Sequence, residues 1–253
     1  YDFWVSHALR EITDTYGDVV KIKDKSLLKF GQNNDVDTGS QETVWLRGGN
    51  ETLPSTNSIT HISSSNAGDT QDVKVEGHTI SGGELTFVVQ TITLQGQTKV
   101  ALTTPLYRST RLENDNSTIF AGTMYVYEDD TVVAGVPQTT AKIHLQTDGS
   151  NNQSLKAATA FSNLDYGLIT HFYADINKQT GSALVDFRLQ IQKDGKTFNT
   201  KLLRTASSDK GIDLPFKPFL IVPPNSDIRI TAETNTNNVS VTAGFNALLA
   251  IKT

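Results

Sequence analysis

Apolar residues recur at every second position through most of this chain. Val73 and Val75 alternate with Lys74 and Glu76, and Met124 and Val126 with Tyr125 and Tyr127. Ala141, Ile143 and Leu145 alternate with Lys142, His144 and Gln146. The clearest run is Ala183, Val185, Phe187, Leu189 and Ile191, opposed by Asp186, Arg188, Gln190 and Gln192. Side chains along a strand point alternately to opposite faces, so period-two apolarity predicts half-buried strands. Leu168 to Ile176 is apolar on both sides, as in a central strand. Seven apolar residues from Val239 to Ile251 keep i, i+2 spacing. Their opposite face is polar until Leu248 and Ala250. That strand is expected to have one face in the core. Its other face should be wet at first, then covered by the chain's own arm or a neighbouring subunit.

Turn residues punctuate these runs. Gly82-Gly83, Gln95-Gly96-Gln97, Glu128-Asp129-Asp130 and Asp194-Gly195 each end one strand and start another. Pro215, Pro218, Pro223 and Pro224 bracket Phe219 to Val222 and confine that strand to an edge. Leu85, Phe87 and Val89 fall out of phase with Ile92 and Leu94, which predicts a β-bulge near Gln90-Thr91. Turns every 8–12 residues or so and almost no helical periodicity predict antiparallel sandwiches. The fold class expected is all-β: antiparallel β-sandwich or jelly-roll modules preceded by an extended N-terminal arm. The expected division is 1–57 arm and anchoring segment, 58–150 sandwich, and 151–253 C-terminal, jelly-roll-like sandwich.

The arm carries the one helical pattern. Trp4, Ala8 and Ile12 lie at i, i+4, i+8, with Leu9 beside them, before Val20 and Ile22 take strand spacing. Phe3 and Trp4 need burial, on a neighbouring subunit or on the chain's own domain. The candidate subunit-anchoring residues are Phe3, Trp4, Leu9, Ile12, Phe30, Trp45 and Leu248.

Length and composition narrow the class. The 253 residues suffice for a real core, and 19% charged with 37% hydrophobic residues argues against disorder. A net charge of -5 disfavours nucleic acid as the main partner. No cysteine is present, so disulfides and thiolate chemistry are excluded, and no apolar stretch approaches the ~18 residues of a membrane span.

Tests for chemistry are negative. None of the five histidines, His7, His61, His78, His144 and His171, stands in a ligand spacing. His144 is expected on a polar strand face and His171 partly buried mid-strand. No nucleophile elbow or phosphate-binding loop is spelled. Glu128, Asp129 and Asp130 read as a solvated turn rather than a paired-carboxylate centre. No catalytic residue, cofactor or metal ligand is therefore assigned, and no enzymatic activity is expected.

The most unusual stretch is Leu27 to Gly49, LLKFGQNNDVDTGSQETVWLRGG. Asn33, Asp35 and Asp37 begin like a calcium loop, but Thr38 and Val44 occupy the places where Gly and Glu are required, so an Asx-turn is the better reading. The run Lys29-Phe30-Gly31 through Asn33, Asp35, Val36, Asp37 and Thr38 is followed by Glu42-Thr43-Val44-Trp45 and paired glycines. It resembles the N-terminal signature of a family of tailed-phage virion structural proteins. Val73-Lys74-Val75-Glu76-Gly77, Thr93-Leu94-Gln95-Gly96-Gln97-Thr98 and Asp227-Ile228-Arg229-Ile230-Thr231-Ala232 are similar to that family in the same order. The resemblance implies a virion location and a non-enzymatic role, as capsid decoration or tail accessory. Other virion proteins, major capsid or tail, would be its partners, with homo-oligomers expected. The alternative is a glycan-binding module of a phage fibre. Its candidate stacking residues are Tyr107, Tyr125, Tyr127, Tyr166 and Tyr173, and a host-surface glycan would be the partner.

Overall fold

The computed structural model describes residues 11–13, 19–178, 182–207 and 209–252. Among them the chain is all-β, with one short 3-10 turn at Thr140–Lys142 and every strand-to-strand pairing antiparallel. Two sandwiches are present, each with its own core.

The first sandwich is made from both ends of the chain. One sheet runs β1 (Glu11–Thr13), β2 (Val19–Val36), β19 (Val239–Lys252), β14 (Tyr166–Lys178), β17 (Ile212–Val222). The facing sheet runs β13 (Ala158–Phe161), β18 (Ser226–Thr234), β15 (Leu184–Lys193), β16 (Asn199–Ser207), and β3 (Glu42–Thr43) also pairs with β18. Thr43 and Glu42 lie opposite Thr231 and Ala232, while Ala158 to Phe161 lie opposite Arg229 to Ser226. β3 and β13 are thus two halves of one strand. Counted that way, eight strands form sheets ordered 1-8-3-6 and 2-7-4-5, the double Greek key of a jelly roll. Ile230 bridges the gap: Val44 N–H donates to its carbonyl at 3.0 Å, and its own N–H donates to the Ala157 carbonyl at 2.9 Å.

Everything between the half-strands forms the second sandwich. Its sheets are β12 (Ile143–Gln146), β9 (Met124–Glu128), β4 (Ile59–Ser64), β7 (Val100–Leu106), and β6 (Glu84–Thr93), β5 (Asp72–Ser81), β8 (Arg108–Asn114). A small ribbon, β10 (Val132–Val133) with β11 (Val136–Pro137), extends from it. Ile62, Val73, Val75, Leu106, Leu112, Met124 and Leu145 fill the core between its sheets.

Several expectations change. Residues 19–43, read from sequence as arm, belong to the jelly roll, because β2 pairs with β19 from Val20 to Val36 and β3 pairs with β18. Helical spacing through Ile12 gives way to strand, since Glu11, Ile12 and Thr13 pair with Lys21, Val20 and Val19; Trp4 and Ala8 lie outside the described residues. No bulge occurs at Gln90: β5 and β6 pair without a register shift from Asp72–Thr93 to Ser81–Glu84. The apolar phase changes there because opposite faces meet different partners. Val88 and Ile92 face their own core. Leu85, on the other face, is buried at the jelly roll, its N–H donating to Asn225 Oδ1 at 2.9 Å.

The edge position of the proline-bracketed β17 and the interior position of β14 agree with the sequence. So does Asp194-Gly195, whose φ angles of 52° and 67° suit a two-residue hairpin turn. In β19, Val239, Val241, Ala243, Phe245 and Ala247 are buried in the jelly-roll core.

Candidate functional site

The unusual segment near the N-terminus codes for packing. Gly31 sits where the half-strands converge, and a Cβ there would lie 2.2 Å from the Val44 carbonyl oxygen and 2.3 Å from the Ala157 nitrogen. Beyond it, Asn33 is buried and donates to Glu42 Oε2 at 2.9 Å, while its Oδ1 accepts the Asp35 N–H at 3.0 Å, the Asx-turn expected. The Glu42 carboxylate also accepts the N–H groups of Asp37 (3.2 Å) and Gly49 (2.8 Å). Trp45 is buried within its own chain, its indole N–H shared by the carbonyls of Gly48 and Gly49, with Arg47 stacked 4.5 Å from the ring centroid. Trp45 is thus an internal anchor, at the point where the chain leaves the jelly roll.

Where the two sandwiches meet, charged side chains are buried together. Strand β8 supplies Arg108, Ser109 and Thr110, all buried. Arg108 forms a two-bonded pair with Asp227 of β18 and donates to the carbonyls of Pro54 and Tyr107. Lys156 spends its three protons on Glu51 Oε1 (2.5 Å), the Ser109 carbonyl (3.0 Å) and the His144 carbonyl (3.2 Å). Lys29 of β2 donates to the Thr110 carbonyl. His144 is buried between Glu128 (3.1 Å) and Glu51 (3.9 Å), at a polar interface rather than in solvent.

Electrostatics explain the pairings. Burial pushes Lys29 down to about 7, helped by the neighbouring positive charges of Arg111 and Lys156. Burial alone would raise the Glu51 carboxyl, but Lys156 and His144 outweigh it and hold the group at about 2. Burial raises Asp227 despite the opposing pull of Arg108. Burial lowers His78, on β5 beside this junction, to about 4. The crevice among these groups has room for about one water at 10 Å³. Arg108 with Asp227 and Lys156 with Glu51 are paired ions, whereas Lys29 meets a neutral carbonyl, and together these contacts hold the insert against the jelly roll.

The larger concavities are open. One, of about 580 Å³, lies on the inserted sandwich between Gln97, Thr98, Lys99, Asp129, Asp130 and Lys142. Its carboxylates are engaged: Asp129 with Lys99 at 2.5 Å, Asp130 with the Thr139 N–H at 2.6 Å. Among the described residues that line it, none is aromatic. The second, about 480 Å³, lies between the free edges of β16 and β17, near half-exposed Leu184 and Leu203. Among the described residues, no three His, Asp or Glu side chains gather as metal ligands.

Of the predicted anchoring residues, Phe3, Trp4 and Leu9 lie outside the described residues, and Ile12 is placed only as a β1 backbone position. Phe30 is half-buried on β2, and Leu248 packs against the cluster of Tyr166, Leu168 and Ala250 on the jelly roll's outside. The tyrosines considered for glycan stacking are dispersed. Tyr127 and Tyr166 are buried, and Tyr107 lies under Arg108 at 3.7 Å. His171 is partly buried and engages Asp213. Sequence reasoning missed Arg108, Asp227, Glu51 and Lys156, since each pair is separated by more than a hundred residues.

No family model matches the chain, and no curated protein matches it. Two solved structures of infectious bursal disease virus are similar to it. One, the virus of the Gt strain, is 12% identical, with 98% of this chain and 76% of that one covered and a TM-score of 0.23. The other, a VP2 subviral particle, is also 12% identical, with 95% and 74% covered and the same TM-score of 0.23. The fold assignment rests on the chain's own strand order.

Proposed function

We propose that this chain is a non-enzymatic structural subunit of a virion, with the jelly roll as the packing body and the inserted sandwich displayed from it. The observation that carries the reading is the split second strand. A complete eight-strand jelly roll holds a second sandwich through paired connecting segments, and the buried Arg108–Asp227 ion pair ties one sandwich to the other. Jelly rolls of this strand order build viral shells and lectins alike, so the fold alone is an analogy. The resemblance of Leu27–Gly49 to phage virion proteins supports the first reading.

Contacts with other virion subunits run through the side that the insert leaves open. There β16 and β17 end their sheets, and Leu184 and Leu203 stand half-exposed. Residues 193–217 carry six basic side chains against three acidic ones, while residues 58–147 carry nine acidic against five basic. A second copy can therefore set its acidic insert against this basic edge.

The glycan-binding reading has weaker support, because the groove on the insert lacks an aromatic platform. Labelling with an antibody to the inserted sandwich, followed by imaging of intact particles, tests the proposal. Regular labelling of the head or tail is expected. Particles without the chain, or saturable binding of one sugar class in a glycan array, would replace it.

A further inference from the structure

The insert leaves the jelly roll through β3 and β13, at one end of a sheet, and β16 forms the other end of that sheet. β17 ends the facing sheet. A turn in which Ser207 and Lys210 bond to each other joins β16 to β17, and among the described residues no ladder links the two strands beyond it. The mouth between them holds about 480 Å³, bounded in part by Arg204, Ala206, Lys210, Ile212 and Leu214.

The two edges at this mouth are not equivalent. β17 carries Pro215 and Pro218, which have no N–H to offer an added strand. β16 carries no proline, and Leu203 on its outer face is 46% exposed. An edge strand with unpaired N–H and C=O groups is a template for another strand. The inner face of β16 reads Leu202, Arg204, Ala206, because these lie opposite the core residues Leu189, Phe187 and Val185. Arg204 therefore sets a cation between two apolar positions at the rim of the core. Its guanidinium donates to the carbonyl of its neighbour Leu203 at 3.0 Å, and among the described residues it meets no carboxylate. Residues 193–217 around it carry six basic against three acidic side chains, and one of those acids, Asp213, engages His171.

We infer that β16 takes up an extended segment of a partner subunit as an added strand, and that this segment carries a carboxylate between two aliphatic residues at alternate positions. The carboxylate faces Arg204, and the aliphatic residues face Leu202 and Ala206. Main-chain bonds to the edge supply affinity, and the alternate side chains supply selectivity. The inference rests on the reading that subunit contacts use this side, and adds the form of the contact.

A capped synthetic peptide, Thr-Val-Thr-Glu-Thr-Val-Thr, serves as the probe. Fluorescence anisotropy should show saturable binding to the full chain. Arg204→Glu, at an exposed position, should weaken binding about tenfold. A peptide with lysine in place of the glutamate should recover that loss in the variant, which also shows the variant to be folded. N-methylation of one of the two alternate sets of peptide nitrogens should abolish binding, while methylation of the other set is tolerated. No saturable binding, indifference to the charge reversal, or tolerance of both methylated sets would overturn the inference. So would self-association of the chain in sedimentation that the peptide fails to compete. These results leave the virion role standing, since labelling of intact particles tests it separately.

Discussion

Arg108 and Asp227, 119 residues apart, meet through two hydrogen bonds, Nε to Oδ1 at 2.8 Å and Nη2 to Oδ2 at 3.2 Å, with their side chains 6% and 8% exposed. One belongs to the inserted sandwich and the other to the jelly roll. Removing one partner of such a pair strands a buried charge. Asp227→Ala should cost about 3–5 kcal/mol in a urea melt, whereas replacing both partners by apolar residues should cost much less. A double-mutant cycle checks this. A coupling energy near zero would show that the pair does not join the domains.

Gly31 gives a sharper contrast. Gly31→Ala places a methyl group against two backbone strands, which cannot yield as a side chain would, and should abolish soluble folded protein. Gly39→Ala meets open space and only the strain of φ at 83°, so it should cost about 1 kcal/mol. Thermal melts of both variants decide it, and a stable Gly31→Ala protein would show that the half-strands are not so closely joined.

Acid should weaken the fold in two steps. Burial holds His78 at about 4 against an ordinary 6.5, so the unfolded chain gains a proton first and stability falls as pH drops from 6.5 to 4. Glu51, held at about 2 against 4.5, adds a loss of the same sign between pH 4.5 and 2. His78→Leu should flatten the first step. Urea melts at several pH values between 7 and 4 measure it, and an unchanged slope in the variant would rule out His78 as its source.

Phe245, fully buried on β19, tests the register of the long strand. Phe245→Ala should cost about 3–5 kcal/mol, a large part of a typical 5–15 kcal/mol stability. A neutral result would place that face outside the core.

Period-two apolarity located β5, β9, β15 and β19 because each has one face in a core and one outside. It could not report partners. β2 pairs with β19 across the length of the chain, and that pairing depends on tertiary packing rather than on local spelling. The same limit hid the clamp, whose members look like ordinary surface charges until the insert folds back onto the jelly roll. Leu85 misled for a related reason: its burial comes from the neighbouring domain. The Asn33 turn and the Asp194-Gly195 hairpin were legible because both are settled within a few residues.

The interrupted second strand has a consequence for engineering. Because the outgoing and returning segments bond to the same residue, Ile230, the jelly roll holds its cargo at one fixed pair of ports. A foreign domain with adjacent termini can be spliced between those ports without altering the strand order around them. The receiving socket is ionic, however. A graft that brings no cation to Asp227, or no carbonyl to Lys29, leaves a buried polar group without its partner. Exchange of payloads should therefore succeed with compensating changes at those two positions and fail without them.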